Sequence, residues 1–231
     1  MISNLRWEHG HRFVPNPSPP IDAYSKLVDD PTELNLLLEI EAITNPLAQE
    51  AAGNLRLIPS SRRYQGPLPG LIMLPLLLPR PSRFSDGSFG VLYVADSIET
   101  ALQESAYHAA ERLRAMGAKA GTRTRLYGYV IRADCNVLDV RRGTSSANED
   151  IYDSECLRAA QEFGRKIRDL GYNGLHATSV RRECGTCAAF FWPDAVRSAD
   201  EANRWLLLWN GEAFKEMGEE GPDRSGTPMR G

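Results

Sequence analysis

The sequence predicts an α+β fold, with a mixed, mainly antiparallel sheet and surrounding helices. Short apolar runs rich in β-prone residues alternate with helices that have clear start and stop signals. Of the 231 residues, 42% are hydrophobic and 25% are charged, which is usual for a globular domain. No internal repeat or break in composition marks a second domain. We therefore expect a single domain over residues 1–210 and a flexible tail rich in Gly and Glu over residues 211–231.

The N-terminal third combines an extended segment with one helix. Closely spaced prolines within residues 9–30 predict an extended arm, because proline fixes φ and lacks the amide donor. A helix is expected over residues 30–43, since Asp30 and Glu33 form a capping box and a proline occupies the first helical position. Repeated prolines then predict loops and short strands over residues 53–89.

The middle of the chain predicts a buried strand followed by a long helix. The β-prone run of residues 90–95 is typical of a buried strand. Asp96 is the expected N-cap of the helix, with Glu99 three positions later, and Gly117 is the expected stop. Helical spacing predicts this inward-facing stripe: Ile98, Leu102, Ser105, Ala109, Leu113 and Met116.

The last third predicts several strands around a third helix. Residues 126–131 and 136–140 are two expected strands, joined by a turn at Ala133 and Asp134. A helix is expected over residues 150–170 and ends at Gly171. Its inward-facing residues are expected to be Leu157, Ala160, Gly164 and Ile167. The remaining expected strands are residues 174–179, 187–191 and 205–209.

Charge and composition exclude several classes of protein. The net charge is −3, and no block rich in Lys and Arg provides a surface for nucleic acid. The longest apolar stretch, residues 71–78, is too short to cross a bilayer, and no secretory signal is visible. We therefore expect a cytoplasmic protein without membrane contact. No P-loop or G-x-G-x-x-G motif supports a kinase or a Rossmann dehydrogenase.

Two motifs suggest metal or redox chemistry only weakly. His9 and His11 lack further ligands nearby, so no metal site is expected there. Cys184-Gly-Thr-Cys187 has the spacing of a redox pair or of half a zinc site. However, no second pair of ligands exists, and the motif leads into a predicted strand rather than a helix. A hairpin turn that uses Gly185 is the alternative interpretation.

One segment places polar side chains where they can converge. Arg83 precedes a strand, Tyr93 lies on it, and Glu104 lies on the following helix, to one side of the apolar stripe. These residues can meet in one cleft. They can equally be a surface arginine, a core tyrosine and a solvated glutamate, and the pattern alone favours this second interpretation.

Four motifs follow one another along the chain: Arg83-Phe-Ser-Asp-Gly, Gly90-Val-Leu-Tyr, Glu99-Thr-Ala-Leu-Gln-Glu and Gly171-Tyr-Asn-Gly-Leu-His-Ala-Thr-Ser. Together they resemble the RES-domain family, which is named for an arginine, a glutamate and a serine. The resemblance runs from about His11 to Asp194. It implies a bacterial toxin of a type II toxin–antitoxin pair that consumes NAD, and a fold similar to that of ADP-ribosylating toxins.

The resemblance assigns a role to five residues. Glu104, Arg83 and Ser179 correspond to the catalytic residues of the family, and Arg12, Arg83, Tyr93 and Ser179 correspond to those that bind NAD. Arginine binds phosphate bidentately, a carboxylate stabilises an oxocarbenium-like ribose, and tyrosine stacks on a flat ring. The chain departs from compact members, which place Gly-Arg-Trp-Asn around the second arginine and bring the two arginines closer together.

The resemblance implies an enzyme but leaves its acceptor open. NAD is the expected substrate, and ADP-ribose can pass to a host protein, to water or to phosphate. The implied partner is an Xre-type helix-turn-helix antitoxin, and a homodimer within that complex is also open. Two other functions remain as alternatives, namely a non-catalytic binding module and a thiol redox protein that uses Cys184 and Cys187.

Overall fold

The computed structural model describes residues 2–15, 44–51, 57–144 and 149–220, together with positions 30, 33, 36 and 40. The strands are β1 (Ile2–Val14), β2 (Pro81–Ser82), β3 (Ser85–Asp86), β4 (Leu92–Ala95), β5 (Arg123–Asp139), β6 (Gly174–Thr178), β7 (Thr186–Phe190), β8 (Val196–Trp209) and β9 (Phe214–Glu220). The α-helices are α1 (Pro46–Ala51), α2 (Pro69–Leu77), α3 (Ile98–Ala115) and α4 (Arg158–Asp169). No helix in these ranges has the length and apolar character needed to cross a membrane.

Seven strands form one sheet in the order β1-β4-β7-β6-β5-β8-β9, and β1 also pairs with β5. The strands β1, β4, β7, β6 and β5 therefore close into a ring of pairings, which β8 and β9 extend. Within the described sheet, only the pairing of β5 with β6 is parallel. The prediction of an α+β fold with a mixed, mainly antiparallel sheet is confirmed.

The first strand and the fifth are longer than the sequence pattern indicates. Residues 9–14, which were expected in an extended arm, are extended but belong to β1 and pair with β5. The prediction of two strands joined by a turn at Ala133 and Asp134 is wrong, because β5 runs through both residues. Pairing with β1 on one edge and β8 on the other keeps this backbone extended. The inward-facing side chains of β5 are also buried: Leu126, Ile131, Ala133, Cys135 and Val137.

The segment that follows β8 is a strand where a tail was expected. The expected flexible tail, residues 211–231, begins with β9, which pairs antiparallel with β8. The prediction is therefore wrong for this part, and residues 221–231 lie outside the described residues. The side chain of Asn210 accepts hydrogen bonds from two following backbone amides at 2.9 and 2.7 Å, and Gly211 adopts a φ of 105°. These features turn the chain back onto β8.

The proline-rich region contains a helix that was not predicted. Helix α2 begins at Pro69, where the missing amide costs nothing, and continues through Pro75. It buries Ile72, Met73, Leu76 and Leu77, and each such burial contributes about 1.5–3 kcal/mol. Their sum exceeds the cost of one internal proline, about 3 kcal/mol. The expectation of only loops and short strands over residues 53–89 is therefore wrong for this part.

The helix predicted over residues 30–43 is described only in part. Positions 33, 36 and 40 are helical, and position 30 is not. The hydroxyl of Thr44 donates to the carbonyl oxygen of Ile40 at 2.8 Å, which is a bond between residues one helical turn apart. The rest of this prediction lies outside the described residues.

Helix α3 begins one residue later than predicted. Ser97 is its N-cap, and its Oγ accepts the backbone amide of Thr100 at 3.2 Å. Asp96 was expected to be the cap, but it accepts the amide and hydroxyl of Thr186 on β7 at 2.8 and 3.1 Å. Met116 was expected on the inner face, but it is exposed because it lies past the last turn. Gly117 ends the helix with a φ of 62°, as predicted.

Helix α4 packs directly against the hairpin formed by β2 and β3. It begins at Arg158 rather than at residue 150, because residues 149–152 form a 3-10 turn. Three of the four expected inward-facing residues are buried, namely Ala160, Gly164 and Ile167. A Cβ atom at Gly164 would lie 2.1 Å from the carbonyl oxygen of Phe84 in the hairpin. The absent side chain at Gly164 therefore sets the distance between this helix and the hairpin.

One histidine is buried within the sheet. His176 on β6 has its Nε2 atom 3.0 Å from the hydroxyl oxygen of Thr186, and its ring meets Trp7 edge-on at 5.4 Å. Burial, and next the charge of Arg141, lowers the pKa of His176 to about 4. The imidazole is therefore neutral at pH 7.

Acidification should destabilise the fold through His176. Its pKa is lower in the folded than in the unfolded chain, so the unfolded chain binds the proton first. The contribution to stability is complete above pH 6.5 and is lost as the pH falls towards 4, by about 2–3 kcal/mol. Urea unfolding between pH 7 and 4.5 should show a flatter pH dependence for His176→Gln than for the wild type. The control is His108→Gln, which changes an exposed imidazole, and equal slopes for all three proteins would contradict the prediction.

Candidate active site

The five predicted site residues lie on different elements of the fold. Arg12 lies on β1 and Tyr93 lies on β4. Arg83 lies in the turn between β2 and β3, Glu104 lies on α3, and Ser179 follows β6. Contacts and electrostatic interactions connect all five.

Glu104 and Ser179 form the shortest contact of the group. The hydroxyl of Ser179 donates to Oε1 of Glu104 at 2.6 Å. The same serine oxygen accepts the backbone amides of Arg181 and Arg182, both at 3.1 Å. The hydroxyl proton is therefore used in the hydrogen bond to the carboxylate, and the hydroxyl lone pairs accept the two amides of the loop. Within the described part of the chain, no group donates to Oε2 of Glu104, so this oxygen can accept a hydrogen bond from a ligand.

The guanidinium of Arg83 is partly buried near this pair. Its Nη1 donates to the carbonyl oxygens of Ile151 and Asp153 at 3.0 and 3.1 Å, which fixes the side chain. Burial, and next the charge of Arg181, lowers the pKa of Arg83, while Tyr93 and Glu104 oppose the shift. The arginine remains protonated at neutral pH and is close enough to Glu104 to interact with it electrostatically.

Tyr93 uses its hydroxyl to hold the turn that carries Arg83. The phenolic oxygen lies 3.0 Å from the hydroxyl oxygen of Ser82 and accepts the amide of Phe84 at 3.2 Å. Burial raises the pKa of Tyr93 to about 12, so the hydroxyl stays protonated. The tyrosine therefore positions the arginine, and stacking of its ring on a ligand stays a prediction.

Arg12 joins the group through the backbone of β4. Its Nη1 donates to the carbonyl oxygen of Tyr93 at 2.9 Å. Its Nε is buried and has no hydrogen-bond partner among the described residues. Burial lowers the pKa of Arg12 to about 10, which leaves the guanidinium charged at neutral pH. A charged guanidinium whose buried Nε has no acceptor favours a ligand with an anionic acceptor.

Helix α4 holds the hairpin of Arg83 in place. The side chain of Gln161 donates to the carbonyl oxygen of Ser82 at 3.0 Å, and Arg165 pairs with Asp86. Together with the close contact at Gly164, these bonds hold both β2 and β3 against the helix. The helical pattern placed Gly164 on the inner face of its helix, but no feature of the sequence identified the hairpin as its partner.

A cleft with a volume of about 540 Å³ opens at Ser179, which is the one of the five residues that lines it. Its other lining residues had no predicted role, among them Arg142, Tyr152, Arg181 and Arg182. The guanidinium of Arg142 lies 4.5 Å from the ring centre of Tyr152. Arg181 and Arg182 come directly after Ser179 in the chain, and this proximity was the available signal for both.

The two cysteines of the C-x-x-C motif have different environments. Cys184 is exposed and lies in the loop between β6 and β7 with a φ of 59°, whereas Cys187 belongs to β7. Burial raises the pKa of the Cys187 thiol, which disfavours the thiolate needed for redox exchange. No cluster of His, Cys, Asp or Glu in the described ranges has the arrangement of a metal site.

Comparison with known proteins finds a family model and solved structures that are similar to this chain. The family model of the RES domain matches residues 56–210 of this chain. The crystal structure of the M. tuberculosis MbcT–MbcA toxin–antitoxin complex is similar at 15% sequence identity and a TM-score of 0.35, over 52% of this chain and 71% of that chain. No curated protein matches the chain. The range matched by the family model includes Arg83, Tyr93, Glu104 and Ser179, whereas Arg12 precedes it.

Proposed function

The chain belongs to the RES-domain family, and from this premise we propose that it cleaves the nicotinamide–ribose bond of NAD and transfers ADP-ribose to an acceptor. The observation that carries the proposal is the contact of 2.6 Å between Ser179 and Glu104. This contact orients one carboxylate oxygen and leaves the other without a donor among the described residues, and the charge of Glu104 acts on the guanidinium of Arg83.

The proposed reaction needs stabilisation of positive charge at the ribose. Departure of nicotinamide leaves an oxocarbenium-like sugar, as in glycoside cleavage. A carboxylate held by a serine hydroxyl can stabilise this cation or bind a ribose hydroxyl. In this proposal Glu104 has that role, and Ser179 keeps its orientation.

The arginines would bind the other half of the substrate. The pyrophosphate of NAD is anionic, and guanidinium groups bind phosphate oxygens through paired hydrogen bonds. Arg83 is fixed by two backbone carbonyls, so little side-chain entropy would be lost on binding. Arg12, with its unpaired Nε, would bind a second charged group, and the ring of Tyr93 would pack against the substrate.

The proposal extends to the biological role of the protein. Loss of NAD, or modification of a host protein, would arrest growth of the bacterial cell that makes this chain. An Xre-type antitoxin is the proposed partner that suppresses the activity, and the cytoplasm is the proposed location. The acceptor is a host protein, water or phosphate.

Purified protein incubated with NAD should release nicotinamide, which chromatography can quantify. If cell lysate receives NAD labelled in the adenosine half, label on one discrete protein band identifies protein transfer. Free ADP-ribose or its phosphate identifies consumption by water or phosphate. No release of nicotinamide from NAD, with or without lysate, would refute the proposal and favour a non-catalytic binding module.

The control for the thiol alternative is Cys184→Ser. Because burial disfavours the Cys187 thiolate, this variant should release nicotinamide at the wild-type rate and should arrest growth equally. Loss of toxicity in this variant alone would favour the redox function instead.

A further inference from the structure

Arg181 has an unusual place beside the candidate site. Its guanidinium lies only 3.5 Å from the ring centre of Tyr107, which is one turn after Glu104 on α3. Its Nε is buried, and no carbonyl or carboxylate among the described residues accepts a hydrogen bond from the guanidinium. Stacking on an aromatic ring holds the cation in place but leaves its hydrogen-bond donors unused.

The backbone of Arg181 is tied to the catalytic pair. Its amide donates to the hydroxyl oxygen of Ser179 at 3.1 Å, and the same hydroxyl donates to Glu104. Tyr107 lies on the same helix as Glu104, and Ser179 is hydrogen-bonded to Glu104, so both contacts of Arg181 are made close to Glu104. The position of the Arg181 guanidinium relative to that carboxylate is therefore set at two points.

The other arginines of the cleft already have partners. Arg182 donates to the hydroxyl oxygens of Ser97 and Thr100 at 3.0 and 3.1 Å, and Arg142 pairs with Glu149. Among the described arginines that line the cleft, Arg181 is thus the one whose guanidinium donates to no protein group. Arg182 and Arg142 bind neighbouring protein groups and so stabilise the loop, whereas the Arg181 guanidinium has no such structural partner among the described residues.

Arg83 and Arg181 repel each other in this arrangement. After burial, the charge of Arg181 is the strongest influence that lowers the pKa of Arg83. Two like charges that interact in a partly buried environment are unfavourable until a group of opposite charge binds near both of them. A bound dianion removes this repulsion and uses the free donors of both side chains.

We propose that Arg181 is a substrate-binding residue, and that its guanidinium holds one phosphate of the NAD pyrophosphate while Arg83 holds the other. This inference rests on the proposed function for the identity of the ligand. The anion site itself follows from the arrangement of Arg83, Arg181 and Tyr107. Two phosphates match two guanidinium groups in number and in charge.

The binding of inorganic pyrophosphate, measured by calorimetry on the full chain, tests the anion site without turnover. Arg181→Gln should bind pyrophosphate about 10-fold to 100-fold more weakly than the wild type, because a charge-assisted hydrogen bond is lost. Arg181→Lys keeps the charge but loses the paired donors, so its affinity should lie between the two. The matched control is Arg158→Gln, which removes an arginine that is 83% exposed on α4.

The outcomes separate this inference from the proposed function. No binding of pyrophosphate to the wild type, equal binding by Arg181→Gln, or an equal loss in Arg158→Gln would overturn the role of Arg181. If binding depends on Arg181 but NAD is not cleaved, the proposed function fails and the anion site stands. If NAD is cleaved, Arg181→Gln should raise KM about 10-fold while kcat changes less than about threefold, and the reverse pattern would overturn the binding role.

Discussion

Replacement of Glu104 by glutamine should lower the rate of nicotinamide release from NAD by about 100-fold to 1,000-fold. Glutamine has the same size as glutamate and can still accept the hydrogen bond from Ser179. However, it carries no negative charge, so it cannot stabilise the cationic ribose of the transition state. Most of the loss should therefore appear in kcat rather than in KM.

The matched control is Glu111→Gln, which changes an exposed glutamate on the same helix. This variant should release nicotinamide at the wild-type rate, and both variants should unfold at the wild-type temperature. Ser179→Ala should show a smaller loss than Glu104→Gln, because the carboxylate keeps its charge and loses only its orientation. Wild-type turnover by Glu104→Gln would exclude this carboxylate from the reaction.

Replacement of Gly164 by alanine should damage both the fold and the site. The new Cβ would lie 2.1 Å from the carbonyl oxygen of Phe84, a distance that real Cβ contacts do not reach. Either α4 or the hairpin must move, and we expect the free energy of unfolding to fall by about 1–3 kcal/mol. Because Arg83 lies in the same turn as Phe84, its guanidinium should shift and NAD cleavage should fall with it.

Gly218→Ala provides the control for this prediction. Gly218 lies on β9, and a Cβ there would meet no atom within 4 Å. Urea unfolding of the three proteins, with NAD turnover measured at a temperature where all are folded, separates the two effects. If the free energy of unfolding of Gly164→Ala equals that of the wild type, the hairpin can move away from the new Cβ without loss of stability. Normal turnover would show that the position of Arg83 does not depend on this contact.

The elements that the sequence predicted well are those with strong local signals. The run before Asp96 is β4, and Gly117 and Gly171 end their helices with positive φ. A glycine with positive φ is a local property of the backbone, so one position is enough to predict it. The type of sheet also followed from the order of the elements.

The errors occur where a tertiary contact outweighs the local signal. Pro75 lies inside α2 because the helix buries four apolar side chains. Ala133 and Asp134 continue β5 because strands on both edges hold the backbone extended. The Gly- and Glu-rich segment after Trp209 forms β9 because β8 offers a free edge. The conformational preferences of neighbouring residues do not include burial or pairing with distant strands.

The sequence by itself determined that Arg83, Tyr93 and Glu104 occur on a turn, a strand and a helix in succession, and its motifs indicated the family. Only the tertiary structure decided that Ser179, 75 residues beyond Glu104, donates a hydrogen bond to that carboxylate. It also decided that Arg181 lies on Tyr107 and that Gly164 sets the place of the Arg83 turn. The physical reason is that a local pattern is set by the conformation of neighbouring residues. Contacts between distant residues depend instead on strand register and close packing across the whole fold.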